Sequence, residues 1–228
     1  MRKETQVKLP PGVQLRLSAT ARRVSLRVDA PRGVVLLIVP KRVSLARAAD
    51  FAQENRGWIG KKLASLPPPV PFADGTEVPV NGVAYTIRHR AGMRGTVWIE
   101  GREIHVAGRP EHLARRLTDW LKAEARRQIL ALIDHHAEVV GRRPSRVTLR
   151  DTTSRWGSCA PNGALAFCWR LILAPKEVMD YVVAHEVAHL VELNHGPRFW
   201  KLVRRLVRDV DGPKKWLGDH GIRLHRYG

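Results

Sequence analysis

Apolar and polar positions alternate through the first forty residues: Leu15 and Leu17, then Val24, Leu26 and Val28, then the run Val34 to Val39 behind Pro31-Arg32-Gly33. A period of two turns successive side chains to opposite faces and marks strands. It predicts two or three antiparallel strands here. From Ser44 the period lengthens. Ala48, Phe51, Ile59 and Leu63 recur at helical spacing behind a serine suited to capping, with Gly57 weakening the middle. Pro67-Pro68-Pro69 stops that helix, and the stretch through Pro71 reads as a short stiff linker. Residues 76–107 return to strand patterning. Asn81-Gly82 between Val78-Pro79-Val80 and the run Val83 to Ile87 predicts a hairpin turn, and Gly95 and Gly101 punctuate two further strands, Val97 to Ile99 and Ile104 to Val106.

The second half is dominated by helices. Pro110 opens one that runs to about Val140, with Leu113, Leu117, Leu121, Ile129, Ile133 and Val140 on one side, Arg115, Arg116, Arg126 and Arg127 on the wet side, and Gly141 to close it. Val147 to Leu149 forms a strand, and Ser154 to Cys159 with Ala164 to Trp169 predicts a hairpin about Pro161-Asn162-Gly163. Pro175 then begins a helix that carries Val178, Tyr181 and Val182 into a core. Past Pro197, an amphipathic helix bears Phe199, Val203, Leu206 and Val210, Asp211-Gly212-Pro213 breaks it, and a short helix around Trp216 completes the chain. The pattern predicts an α+β fold: a β-rich portion over residues 1–109, then a portion over 110–228 in which the helix 111–140 backs the helix through His185. The hairpin before that helix borders it with a strand edge, to which an extended peptide can add as a further strand.

Chemistry concentrates in His185 to His195, which reads HEVAHLVELNH. Helical residues four apart lie about 40° apart in rotation and about 6 Å along the axis, so His185 and His189 present both imidazoles to one point. Glu186 flanks that point, where it can act as general base toward a metal-bound water. A catalytic zinc site normally uses three protein ligands, and His195 is the best third. On a continuous helix it would be about 15 Å from His185, so the helix has to end first. Asn194, able to adopt the left-handed conformation, and Gly196-Pro197 supply the break. Glu192 is a rival ligand, because it returns to the face of the two histidines. By chance, an HExxH arises about 0.02 times in a chain of this composition, and an HExxH with a third His at this spacing about 0.001 times.

Composition narrows the setting. The 228 residues carry a net charge of +19, a surface that attracts polyanions. The 30 Arg and 10 Lys are spread over every element without a block, so non-specific nucleic-acid contact is expected and stimulation by single-stranded DNA is not. Two cysteines, Cys159 and Cys168, make no disulfide framework, and no apolar run is long enough for a membrane span. The basic N-terminus lacks the apolar stretch of a secretion signal, which points to the cytoplasm. His89 and His105 read as isolated surface residues, His135 and His136 as adjacent and unable to clamp one ion, and His220 and His225 as bland; Cys159 reads as a packing residue. Arg155 and His220 are candidates for stabilising an oxyanion.

Four segments taken together resemble the YgjP-like zinc metallopeptidase family: Arg155-Trp156-Gly157-Ser158-Cys159, the run Trp169 to Pro175, the HEVAH helix, and Asn194 to Trp200. Trp58 to Leu63 and Lys214 to Leu217 resemble it too, and His195 to Phe199 is similar to the third-ligand segment of SprT-like and WLM proteases. The resemblance implies a zincin-like catalytic domain with one zinc on His185, His189 and His195 and the base at Glu186. The metzincin spacing is matched, but Glu192 stands where that group has Gly and no Met follows the third His. A peptidase acting on peptides or unfolded protein is the expected function. The alternatives are a metal-dependent nucleotide pyrophosphatase, which the lack of a Gly-rich phosphate loop disfavours, and a nucleic-acid-associated zinc protein with little catalysis.

Overall fold

The computed structural model describes residues 8–93 and 95–228. The chain divides into two units at Pro68–Pro69. In the first, strands β1 (Val13–Ser18), β2 (Ser25–Asp29) and β3 (Val34–Pro40) form one sheet in the order β1-β3-β2. Helix α1 (Leu45–Glu54) starts at Ser44, whose side chain accepts from the Arg47 amide. Leu37 and Val39 pack with Ala48 and Ala52 in a core of their own. The expected antiparallel arrangement holds only for β2 against β3; β1 runs parallel to β3. Residues 19–24 let the chain step past the centre of the sheet, so that β1 and β2 flank β3 instead of pairing with each other. The single helix expected beyond Ser44 is two, α1 and α2 (Arg56–Ala64). The break falls at Asn55 rather than at Gly57, because the Asn55 side-chain amide takes the Phe51 carbonyl at 2.7 Å and competes with the helical pattern.

The second unit holds the rest. Strands β4 (Glu77–Val80), β5 (Val83–Arg90), β6 (Val97–Glu100) and β7 (Glu103–Ala107) make a mixed sheet in the order β4-β5-β7-β6. A 3-10 turn at Pro110–His112 leads into α3 (Leu113–Val140), closed by Gly141 at φ 71°. Three short strands follow, β8 (Arg146–Arg150), β9 (Gly157–Cys159) and β10 (Ala164–Cys168), in the order β8-β10-β9. Helices α4 (Lys176–Ala188), α5 (Pro197–Leu206) and α6 (Asp211–Leu224) complete the unit. One core joins Ile87 and Ile104 of the four-stranded sheet, Leu117, Leu121 and Ile129 of α3, Leu165 and Phe167 of β10, and Val183 and Val187 of α4.

That shared core corrects the expected boundary at residue 109. Residues 69–109 belong with the helical part because the β4–β7 sheet buries its apolar face against α3. Two further expectations change. His105 is not a surface residue: it is buried between a stacked Trp98, 5.1 Å away, and Arg90, whose Nε donates to Nδ1 at 2.8 Å. The last helix begins at Asp211 and is longer than expected, since Pro213 falls in its first turn, where a missing amide costs nothing.

Two contacts hold α4 in place. The β4–β5 turn uses Asn81 at φ 52° and Gly82 at φ 76°, and the Asn81 amide donates to the Ile172 carbonyl at 2.7 Å. A Cβ on Gly82 would lie 3.0 Å from the Pro175 Cα, so the turn seats directly on the start of α4. On its flank α4 lies along α3, where buried His136 Nε2 meets Asp180 Oδ1 at 2.7 Å.

Candidate metal centre

Helix α4 ends at Ala188, well before Asn194, and His189 caps it in a right-handed conformation (φ −65°, ψ −16°). Asn194 is not left-handed; among the described residues, Asn81 alone of the non-glycines has positive φ. The chain unwinds instead through tight turns, with the Val191 and Glu192 amides both donating to the Ala188 carbonyl. His185 and His189 keep their one-turn spacing because the His189 backbone is still helical.

The return brings His195 back. Its Nε2 lies 3.0 Å from His185 Nε2 and 3.2 Å from His189 Nε2. Nitrogens around one tetrahedral zinc, each about 2.0–2.1 Å from it, are about 3.3 Å apart. The three rings therefore aim at a single point that suits one ion, and the group can hold a metal. His189 Nδ1 sits 3.0 Å from the Glu192 carbonyl, which fixes the proton on Nδ1 and leaves the Nε2 lone pair for a metal. Glu192 thus serves through its carbonyl. Its carboxylate pairs with Arg198 at 3.1 Å and does not join the histidines.

Beneath the rings lies Phe199, fully buried, stacked on His189 at 4.5 Å and edge-on to His185 and His195 at 4.9 and 4.7 Å. Trp200 stands 5.9 Å from both His185 and His195, and Tyr181 stands 5.9 Å from His185. Burial, followed by the neighbouring imidazoles and Lys214, pushes the His185 pKa down to about 4, so this ring is neutral and able to ligate across the physiological range. Burial also lowers that of His189.

Glu186 is buried beside the triad, with its pKa pushed up to about 7 by burial while Arg155 pulls the other way. Its side chain lies against the backbone of β9. A Cβ on Gly157 would come within 2.5 Å of Glu186 Cγ and 2.6 Å of Oε1. Cys159, half-buried on the same strand, has its thiol pKa raised by burial and by the Glu186 charge and stands outside the ligand set.

The loop before β9 is braced from the C-terminus. Trp156 stacks on His225 at 4.8 Å and packs against Gly221, while buried Arg170 donates to Asp151 at 2.7 and 3.2 Å and to the carbonyls of Leu224 and Tyr227. Asp151, Cys168 and His225 also bring possible ligand atoms within 4.8 Å of one another. With both Asp151 oxygens on a guanidinium, that cluster reads as the brace. His225 is accordingly not bland, since it carries the ring on which Trp156 rests.

The model for the family described as YgjP-like, metallopeptidase domain, matches residues 22–220. The chain belongs to that family. No curated protein matches this YgjP-like chain. Among solved structures, the metallopeptidase zymogen abylysin of Pyrococcus abyssi aligns over 43% of this chain and 97% of its own, with 20% identity and a TM-score of 0.37.

Sequence reasoning placed the three histidines and Glu186 but missed Phe199, Trp200, Gly157 and Lys214 as their neighbours. Phe199 looked like one more apolar position of an amphipathic helix, and nothing in a single sequence says that a glycine faces a carboxylate. Arg155 proves to lie within electrostatic reach of Glu186. No such link to the centre is seen for His220, which is exposed and rests against Trp216. Among the described residues, no helix is long and apolar enough to cross a membrane.

Proposed function

We propose that the protein is a zinc-dependent peptidase of zincin type, with the ion on His185, His189 and His195 and Glu186 as general base. The observation that carries this reading is the convergence of three Nε2 atoms at 3.0–3.2 Å beside a buried carboxylate. Three neutral nitrogen donors without sulfur suit zinc among the available divalent ions. A zinc ion held there supplies a water that loses its proton near neutral pH and a positive charge opposite a carbonyl oxygen. Glu186 takes that proton on a carboxylate oxygen and delivers it to the departing amine. Gly157 keeps the carboxylate aimed by lying flat against it. Strand β9 has β10 on one side only, so an extended peptide laid along its other edge passes beside Glu186.

Glu186→Gln preserves shape and removes the base. It is expected to keep zinc at the wild-type level while casein hydrolysis falls by about 10²–10⁴-fold. Metal analysis alongside assays on casein and on a panel of nucleoside triphosphates decides the matter. Wild-type activity in Glu186→Gln removes Glu186 from the chemistry, and turnover of nucleotides without turnover of casein replaces the peptidase reading with a pyrophosphatase.

A further inference from the structure

A hollow of about 760 Å³ opens beside the third histidine, bordered by His195, Pro197, Trp200, Lys201, Arg204 and Arg205. Its size falls within the roughly 300–1,000 Å³ of ordinary ligand clefts. Pro197, Trp200, Lys201 and Arg204 recur at helical spacing, so α5 turns one face to the hollow, with an aromatic ring beside the histidines and cations beyond it. Lys214 of α6, outside the border of the hollow, stands 5.8 Å from the same Trp200 ring and adds to the positive field around it.

This positive charge is not compensated locally. Among the described residues, no carboxylate lies within ion-pair distance of Lys201, Arg204, Arg205 or Lys214, whereas Glu192, the acidic residue on the same turn as His195, is already held by Arg198. Arg205 donates to the Val139 carbonyl at 2.8 Å, a partner without charge. A solvent-facing set of like charges around an aromatic floor favours an anionic guest and disfavours a cationic one.

We propose that this hollow is a specificity subsite for acidic side chains of the peptide substrate, close to the scissile bond on one side of it. The inference rests on the peptidase reading: His195 borders both the histidine cluster and the hollow, so a peptide that leaves the cluster on that side enters the hollow. An aspartate or glutamate there places its carboxylate among Lys201, Arg204 and Arg205 while its methylenes lie on Trp200. A nucleic-acid strand would satisfy the same charges, but the hollow's position against a metal ligand favours the substrate chain.

The test uses the zinc-loaded full chain and internally quenched peptides of one neutral core, with Glu, Gln or Lys placed singly at each of three positions on either side of the cleaved bond. Glu is expected to exceed the isosteric Gln about five-fold in kcat/KM at one or more positions on one side only, and Lys to fall below Gln, with both differences shrinking in high salt. The double variant Lys201→Glu with Arg204→Glu is expected to invert the order, its zinc content and thermal unfolding confirming the fold. Should it fail to fold, the wild-type peptide series decides alone. Cleavage of the neutral core with Glu, Gln and Lys equal within two-fold everywhere overturns the subsite and leaves the peptidase standing, while failure to cleave any peptide removes both. If, with no Glu preference, a single-stranded oligonucleotide inhibits neutral-core cleavage in the wild type but not in the double variant, the hollow belongs to nucleic acid and the proposal is overturned.

Discussion

The electrostatics of Glu186 set what the site does with pH. Burial holds its pKa at about 7 in the metal-free protein, and a base works only when ionised, so with Glu186 as the proposed base activity is expected to be lost as pH falls and protons return to the carboxylate. A cation on the histidines lowers that value further, because it favours the charged form. The acid limb of kcat/KM is therefore expected below pH 7 in the zinc-loaded protein. Arg155 pulls the Glu186 pKa down, so Arg155→Met is expected to move that limb upward by a few tenths of a unit or more, and an unmoved limb would separate Arg155 from Glu186. Gly157→Ala tests the packing of the same carboxylate. A methyl group cannot sit 2.5 Å from Glu186 Cγ, so the carboxylate has to turn away, and activity is expected to drop at least about ten-fold with zinc retained. The grouping of His185, His189 and His195 was legible in the sequence, because metal chemistry restricts residue type and spacing together. The sequence hid Gly157 and Phe199, whose partners are remote in the chain and whose types are ordinary.

Elements were legible where local physics decides them. Ser44 caps α1, Asn81-Gly82 makes its turn, Gly141 ends α3 in the left-handed conformation, and Pro197 opens α5. What failed was anything set at a distance. The alternation of β1 marks a strand but neither a buried face, since Leu15 and Leu17 stay exposed, nor a partner, and so the parallel pairing with β3 went unseen. The end of α4 was misplaced for a related reason. The chain leaves the helix after His189 because the turn at Ala188–Glu192 carries it back toward His195, not because Asn194 breaks the helix. The seat of α4 on the β4–β5 turn gives this scale its own prediction. Gly82→Val puts a branched side chain at φ 76° and against Pro175, and a destabilisation of about 1–3 kcal/mol is expected in denaturant unfolding. Wild-type stability would mean that the turn does not support the metal helix.

At the scale of the whole molecule, the expected boundary at 109 gave way to one at Pro68–Pro69, since hydrophobic periodicity shows that a strand has an apolar face and not which helix covers it. Ile87, Ile104, Leu117 and Leu121 share one core, and the three histidines of the candidate centre lie in the same unit, residues 69–228. Residues 69–228 made separately are thus expected to bind zinc and to gain thermal stability from it, as differential scanning calorimetry with and without the metal would show. The central claim is that three imidazoles of this unit hold the ion. X-ray absorption at the zinc edge of the loaded full chain tests it most directly. The account predicts three nitrogen ligands at about 2.0–2.1 Å with one further light atom and no sulfur, and the loss of one imidazole contribution in His195→Ala. A sulfur ligand at about 2.3 Å, or a spectrum unchanged by His195→Ala, would contradict it.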